Sequence, residues 1–142
     1  MKSQEIISRL PYSKPFLFVD EITKIDESEV EGNFTFDENL DFYKGHFENY
    51  PVTPGVILTE TMAQIGLVCL GIFLLNNDFN KDISIALTSA NMEFLKPVFP
   101  NEKVTVVSEK MFFRFGKLKC KVNMTNANGI VVCTGEIAGM IV

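Results

Sequence analysis

Residues Lys44 to Leu75 read KGHFENYPVTPGVILTETMAQIGLVCLGIFLL, and the fold turns on how this stretch behaves. Pro51 and Pro54 hold its approach extended, because proline fixes its own φ and pushes the residue before it out of the helical region. A helix is predicted from Thr53 or Pro54, since a proline at the first helical position gives up only an N–H that has no partner there. Asn76-Asn77-Asp78 should end it. Such a helix is apolar nearly all round, so other structure must enclose it. Its longest uninterrupted apolar run, Ile65 to Leu75, is eleven residues. That is short for a bilayer span and suits a buried core helix.

Outward from this helix the chain reads as strands. Ile6 to Leu10 forms a short amphipathic turn stopped by Pro11. Phe16 to Ile25 is rich in β-branched and aromatic residues and predicts a strand, with Asp26-Glu27-Ser28 turning into a second. In that second strand Val30, Phe34 and Phe36 alternate with Glu29, Glu31, Asn33 and Thr35, as in a sheet with one wet face. After the helix, Ile83–Leu95, Lys103–Phe115, Lys117–Thr125 and Ile130–Ile141 read as four more strands. Pro100-Asn101 and Asn126-Ala127-Asn128-Gly129 supply turns, with Asn and Gly taking the positive φ angles. Two strands, one long helix and four strands make an α+β domain, residues 1–142, with an antiparallel sheet of about six strands curled round its helix.

Composition narrows the function. With 13 basic against 18 acidic residues, net −5, the chain lacks the basic surface on which nucleic-acid affinity rests. Cys69, Cys120 and Cys133 are odd in number and far apart, so neither a zinc site nor a disulfide framework is suggested, and a reducing cytoplasm fits. No apolar core of a secretory signal precedes Pro11. No phosphate-binding loop, dinucleotide glycine pattern or metal-ligand cluster occurs, so no cofactor or metal is expected.

Four features of the helix and its approach can carry chemistry. His46, the only histidine, titrates near neutrality in its free form and is the candidate general base. A bland packing role beside Phe42, Tyr43 and Phe47 competes with that reading. Glu60 lies one and a half turns into an apolar helix, where burial raises a carboxyl's pKa and suits it to donate a proton. Gln64 follows one turn later on the same face, placed to orient Glu60 or a water, or merely to sit at a packing seam. Gly55 and Val56 open the helix, where unpartnered N–H groups and the helix dipole favour an oxyanion such as a polarised thioester carbonyl.

The run GHFENYPVTPGVILTETMAQ resembles the active-site signature of the FabZ-type 3-hydroxyacyl-[acyl carrier protein] dehydratases, in which G-H-F, two prolines and P-G-V lead into a helix bearing E-x-M-A-Q. LPYSKPFLFVDEI resembles that family's L-P-H-R-x-P-F-L-L-V-D opening, and NMEFLKPVFPNEKV its later F-x-R-P-V-x-P-G-D-x-L segment. The resemblance implies the hot-dog fold. It also implies dehydration of (3R)-hydroxyacyl thioesters to trans-2-enoyl thioesters in fatty-acid or related polyketide-type biosynthesis, on an acyl carrier protein in the cytoplasm. His46 carries over as the catalytic histidine, Glu60 as a carboxylate contributed by the other subunit of a homodimer, which itself can build a hexamer, and Gly55 as the backbone donor to the thioester carbonyl. Phe47, Pro54, Val56 and Gln64 carry over as supporting residues. Glu48, Thr53 and Tyr12-Ser13 depart from the pattern, where the family usually has proline, methionine and His-Arg, and those departures bear on the substrate.

Two other enzyme readings remain: a hot-dog thioesterase using Glu60 to activate water, and an enoyl-thioester hydratase, whose Asp-x-x-x-x-His spacing Asp41 and His46 satisfy. A domain that only binds acyl chains is disfavoured because His46, Glu60 and Gly55 occur together. For an acidic carrier, Lys117, Lys119 and Lys121 alternate along one strand face with Arg114 and Lys110 near, and Arg9, Lys14, Lys44 and Lys96 are the alternatives.

Overall fold

A computed structural model describes residues 2–80 and 82–142. Strands β1 (Glu21–Ile25), β2 (Glu29–Thr35), β3 (Ile85–Phe94), β4 (Lys103–Arg114), β5 (Lys117–Thr125) and β6 (Val131–Ile141) form one sheet in the order β1-β2-β4-β5-β6-β3. Every pairing is antiparallel. A short helix, α1 (Ser3–Ser8), buries Ile6. The long helix α2 runs through an α-helical Gly55–Ala63, a π-helical Gln64–Cys69 and an α-helical Leu70–Leu75. The sheet wraps α2, which is the hot-dog arrangement expected of the sequence.

Helix α2, with its 3-10 extension, spans Gly55–Asp78 and is long and apolar enough to cross a membrane, yet 72% of its most apolar window is buried inside the fold. Its apolar faces meet β2, β4, β5 and β6. Leu58, Met62, Ile65, Leu67 and Ile72 join Val30, Val104, Val106, Val122 and Ile137 in the core.

The helix and sheet come unusually close where α2 widens. Ser108 Oγ on β4 donates to the Gly66 carbonyl at 2.8 Å inside the π-helical segment. A Cβ at Gly66 would stand 2.9 Å from the Ser108 Cβ and 3.1 Å from Val122 Cγ1. Gly66→Ala is therefore expected to destabilise the fold by about 1–3 kcal/mol through overpacking. Thermal melting should show a fall of roughly 4–10 °C.

Two expectations are corrected. The strand predicted over Phe16–Ile25 begins only at Glu21. Phe16 to Phe18 has no strand beside it; its backbone bonds instead to the Gln64 side chain, an amide that imitates a neighbouring peptide. Asn33, placed on the wet face by alternation, is 6% exposed, because the chain at Asp20–Glu21 folds over it and Asp20 N–H donates to its carbonyl at 2.9 Å. The turns behave nearly as read: Asn101 and Gly129 take positive φ, whereas Asn126 works through its side chain, accepting from the N–H groups of Asn128 and Ile130.

Candidate active site

The loop before α2 holds His46 from two sides. Its carbonyl accepts from Val52 N–H at 3.0 Å, and its ring Nδ1 lies 2.9 Å from the Val52 carbonyl. A carbonyl only accepts, so neutral His46 must carry its proton on Nδ1, leaving the Nε2 lone pair as the base. The ring stacks on Phe47, centroids 4.0 Å apart. The loop tip closes on itself through reciprocal Phe47–Tyr50 backbone bonds, with Asn49 at φ 63°. Behind it, Tyr43 Oη and Thr53 Oγ1 meet at 2.5 Å in the interior. Burial pushes the Tyr43 hydroxyl's pKa up.

Pro54 caps α2 and Gly55 is its first residue, one residue inside the later of the two predicted starts. The Gly55 and Val56 N–H groups precede the first carbonyls that the helix could offer them. They point out of the helix end as free donors. His46, Phe47, Thr53, Gly55, Leu58 and Lys96 share one cleft of about 410 Å³, with Phe94, Leu95 and Pro97 as its other walls. The Phe94 ring approaches within 3.2 Å of where a Gly55 Cβ would sit. The Val56 side chain, by contrast, is 76% exposed and faces away.

Glu60 lies elsewhere. Five residues past Gly55 on a helix, it is turned about 140° round the axis from Gly55 and does not line the His46 cleft. Its Oε2 accepts from Gln64 Nε2 at 2.9 Å. Gln64 is fully buried. Its Oε1 accepts from Phe18 N–H at 2.8 Å and its Nε2 donates also to the Phe16 carbonyl at 3.0 Å. Both amide hydrogens are thus committed, and when Glu60 is protonated its proton must sit on Oε1. Burial raises the Glu60 pKa above the usual carboxylate range, and the Gln64 hydrogen bond partly offsets this. The fold therefore favours protonated Glu60; that contribution to stability is complete below the ordinary carboxylate range and is lost as pH rises through the elevated value.

Gln64→Met removes the hydrogen bond that lowers Glu60, so the alkaline limb of turnover is expected to move to higher pH. A pH–rate profile checks this. The stranded Phe18 N–H should cost about 1–3 kcal/mol of stability, measured separately by melting.

Tyr12 is the residue that sequence reasoning noted only as a departure. Burial, with Glu60 and then Cys69 close by, pushes its hydroxyl up to about 12. Phe94, Leu95 and Pro97, at and beyond the end of β3, were also missed as cleft walls, whereas Lys96 between them had been named as a cation for the carrier; nothing but the match to the P-V segment singles the other three out. Asp41 does not join His46. It is exposed and pairs with Lys44 at 3.2 Å, so the dyad of the hydratase reading is not formed.

The FabA-like domain family matches residues 10–140. A 3-hydroxyacyl-[acyl-carrier-protein] dehydratase FabZ from Acinetobacter baumannii is 34% identical over 96% of this chain and 93% of its own length. The FabZ of Clostridium perfringens is 33% identical, covering 96% of each. Among solved structures, the dehydratase heterocomplex ApeI:P from Xenorhabdus doucetiae superposes with a TM-score of 0.80 at 12% identity, over 95% of this chain and 89% of that one. A mutant thioesterase from Pseudomonas aeruginosa gives 0.70 at 12% identity, over 100% and 94%; likeness at such identities speaks for the fold alone. The chain belongs to the FabA-like family, and within it to the FabZ-type dehydratases.

Proposed function

We propose that this chain, as a single domain over residues 1–142, dehydrates (3R)-3-hydroxyacyl thioesters carried by an acyl carrier protein, in the cytoplasm and in fatty-acid biosynthesis. The observation that carries the reading is the His46 Nδ1 contact to the Val52 carbonyl, which leaves Nε2 basic in the same cleft as the free Gly55 amide. His46 Nε2 takes a proton from C2 while the thioester oxygen, gaining charge, is held by Gly55 N–H at the helix end. Glu60 Oε1 gives its proton to the C3 hydroxyl, which leaves as water, and the C2–C3 double bond forms. His46 then returns its proton to Glu60 through solvent, closing the cycle.

Because Glu60 is turned about 140° round α2 from Gly55 and does not line the cleft that Gly55 shares with His46, the acid is contributed by a second copy, in a homodimer or a hexamer of dimers. Strand β3 supports this: it is a sheet edge with its outer backbone unpaired and its side chains largely exposed, a row of groups that a second β3 would satisfy. Supplying a (3R)-hydroxyacyl thioester and following two signals separates the rival chemistries. Enoyl absorbance supports the dehydratase; release of free thiol would replace it with a thioesterase.

The carrier is acidic by the family resemblance. Lys119 is paired with Glu136 at 3.4 Å, and Lys121 stands opposite both Glu109 and Glu136, so the lysine stripe on β5 is largely neutralised. Arg9 and Lys44 are paired too, with Glu5 and Asp41. Lys96 lines the His46 cleft and has no ion pair among the described residues. Lys96→Glu should raise KM for a carrier-linked substrate about tenfold at low salt, the penalty shrinking as salt screens it. The Lys117, Lys119 and Lys121 triple glutamate variant should have the smaller effect in the same assay.

A further inference from the structure

His46 is held from both sides of one narrow neck. The chain leaves the interior through the 3-10 turn Asp41–Lys44, whose buried residue is Tyr43. It passes the half-buried His46 and returns through Val52 and Thr53 to enter α2 at Gly55. On the outgoing side the Phe42 carbonyl accepts from His46 N–H at 3.0 Å and from Gly45 N–H at 3.3 Å. On the returning side the Val52 carbonyl holds the imidazole Nδ1. The His46 backbone thus hangs from the neighbour of Tyr43, and its ring from the neighbour of Thr53.

The two sides of the neck meet where Tyr43 Oη and Thr53 Oγ1 lie 2.5 Å apart. Among the described residues this is the one side-chain to side-chain hydrogen bond between residues 41–44 and 52–55. Tyr43 is 6% and Thr53 5% exposed, so water does not compete for either hydroxyl. Burial pushes the pKa of the tyrosine hydroxyl up, the Thr53 bond partly offsetting this, so it keeps its proton throughout the neutral range. Thr53 is itself anchored, its N–H donating at 2.8 Å to the carbonyl of Val98, a fully buried residue. Tyr43 therefore ties the outgoing side to a point fixed in the core, two residues before the Gly55 amide. Thr53 stands where the family usually has methionine, whose thioether is only a weak acceptor and donates nothing.

We infer that Tyr43 and Thr53 are positioning residues for the dehydration, their buried hydroxyl pair setting the distance between the His46 imidazole and the Gly55 N–H. The inference rests on the dehydratase reading and adds what fixes the base and the oxyanion donor to each other. A thioester whose oxygen sits on Gly55 presents its C2 hydrogen at one place. A base displaced from that place by an ångström loses up to about 10²-fold in rate.

Tyr43→Phe and Thr53→Val each delete one hydroxyl and keep the bulk of the side chain. Each should lower kcat by about ten- to a hundredfold while changing KM less than about twofold. The double variant should lose no more than the worse single, because one deletion already breaks the bond. Thr53→Ser keeps the hydroxyl and should return kcat to within about threefold of wild type. Melting curves identify the variants that remain folded, and the double variant leaves no hydroxyl unpartnered.

A second readout needs no turnover. His46 is the only histidine, so nitrogen NMR of ring-labelled protein shows a single imidazole. The neutral wild-type ring should give a protonated Nδ1 and a bare Nε2. In folded Tyr43→Phe or Thr53→Val the two nitrogens should move toward the averaged shifts of a ring that exchanges tautomers. A pair that only stabilises the fold would lower the melting temperature and nothing else. Wild-type kcat in those folded variants, a wild-type ring spectrum, or losses that simply add in the double variant would each overturn the inference. If the wild-type protein dehydrates nothing, the dehydratase reading falls by itself, and the nitrogen shifts still decide whether the pair holds His46.

Discussion

His46→Ala is expected to lower kcat by about 10²–10⁴-fold, the usual contribution of a general base, with little change in melting temperature. The ring is only half-buried, and the loop that carries it is closed by backbone bonds that alanine keeps: Phe47 N–H to Tyr50, Tyr50 N–H to Phe47, Val52 N–H to the residue 46 carbonyl. What alanine removes is the Nδ1 contact to Val52 and, with it, the oriented Nε2. Near-wild-type turnover by a folded His46→Ala enzyme would refute His46 as the base. A rise in KM alone would instead make the imidazole a binding group.

The second large effect concerns Glu60. Glu60→Gln keeps the shape and can still accept from Gln64, but it has no proton to transfer, so kcat should fall by a similar factor of about 10²–10⁴. The more searching experiment mixes the two inactive proteins. If each site takes its histidine from one chain and its carboxylate from the other, a heterodimer of His46→Ala and Glu60→Gln chains holds one wholly intact site and one doubly defective site. Random exchange then restores about a quarter of wild-type activity. No recovery after exchange has been verified by mass would mean that each site is built from one chain, despite the 140° or so that separates Gly55 from Glu60 round the helix.

Much of the architecture was legible in local pattern. Period-2 alternation placed β2 and β5, the turns at Pro100-Asn101 and Asn126–Gly129 bounded β4 and β6, and the observed ends fall within a residue or two of those read. The all-round apolarity of Ile65 to Leu75 required a wrapped helix, and the prolines before Gly55 marked its start. The candidate site residues stood out for a different reason. A lone histidine beside a helix N-terminus and a carboxylate within an apolar helix are costly placements that a purely structural sequence has no need to make. What local pattern misread was Phe16 to Phe18: its composition is that of a strand, and only Gln64, 46 residues further on, reveals that a side chain and not a strand satisfies its backbone.

The sequence by itself determined that one apolar helix must be enclosed by an antiparallel sheet and that the family is that of the FabZ-type dehydratases, and it marked His46, Gly55 and Glu60 as the candidate reactive groups. These follow from periodicity, from the cost of burying charge and from a run of residues in fixed order, all of which are local along the chain. Only the tertiary structure decided which tautomer His46 holds, which Glu60 oxygen accepts from Gln64, and that Glu60 does not line the cleft shared by His46 and Gly55. Those depend on contacts such as Gln64 with Phe18 and Ser108 with Gly66, each joining residues more than forty positions apart, whose meeting is set by how the sheet closes round the helix and leaves no trace in the residues flanking either one.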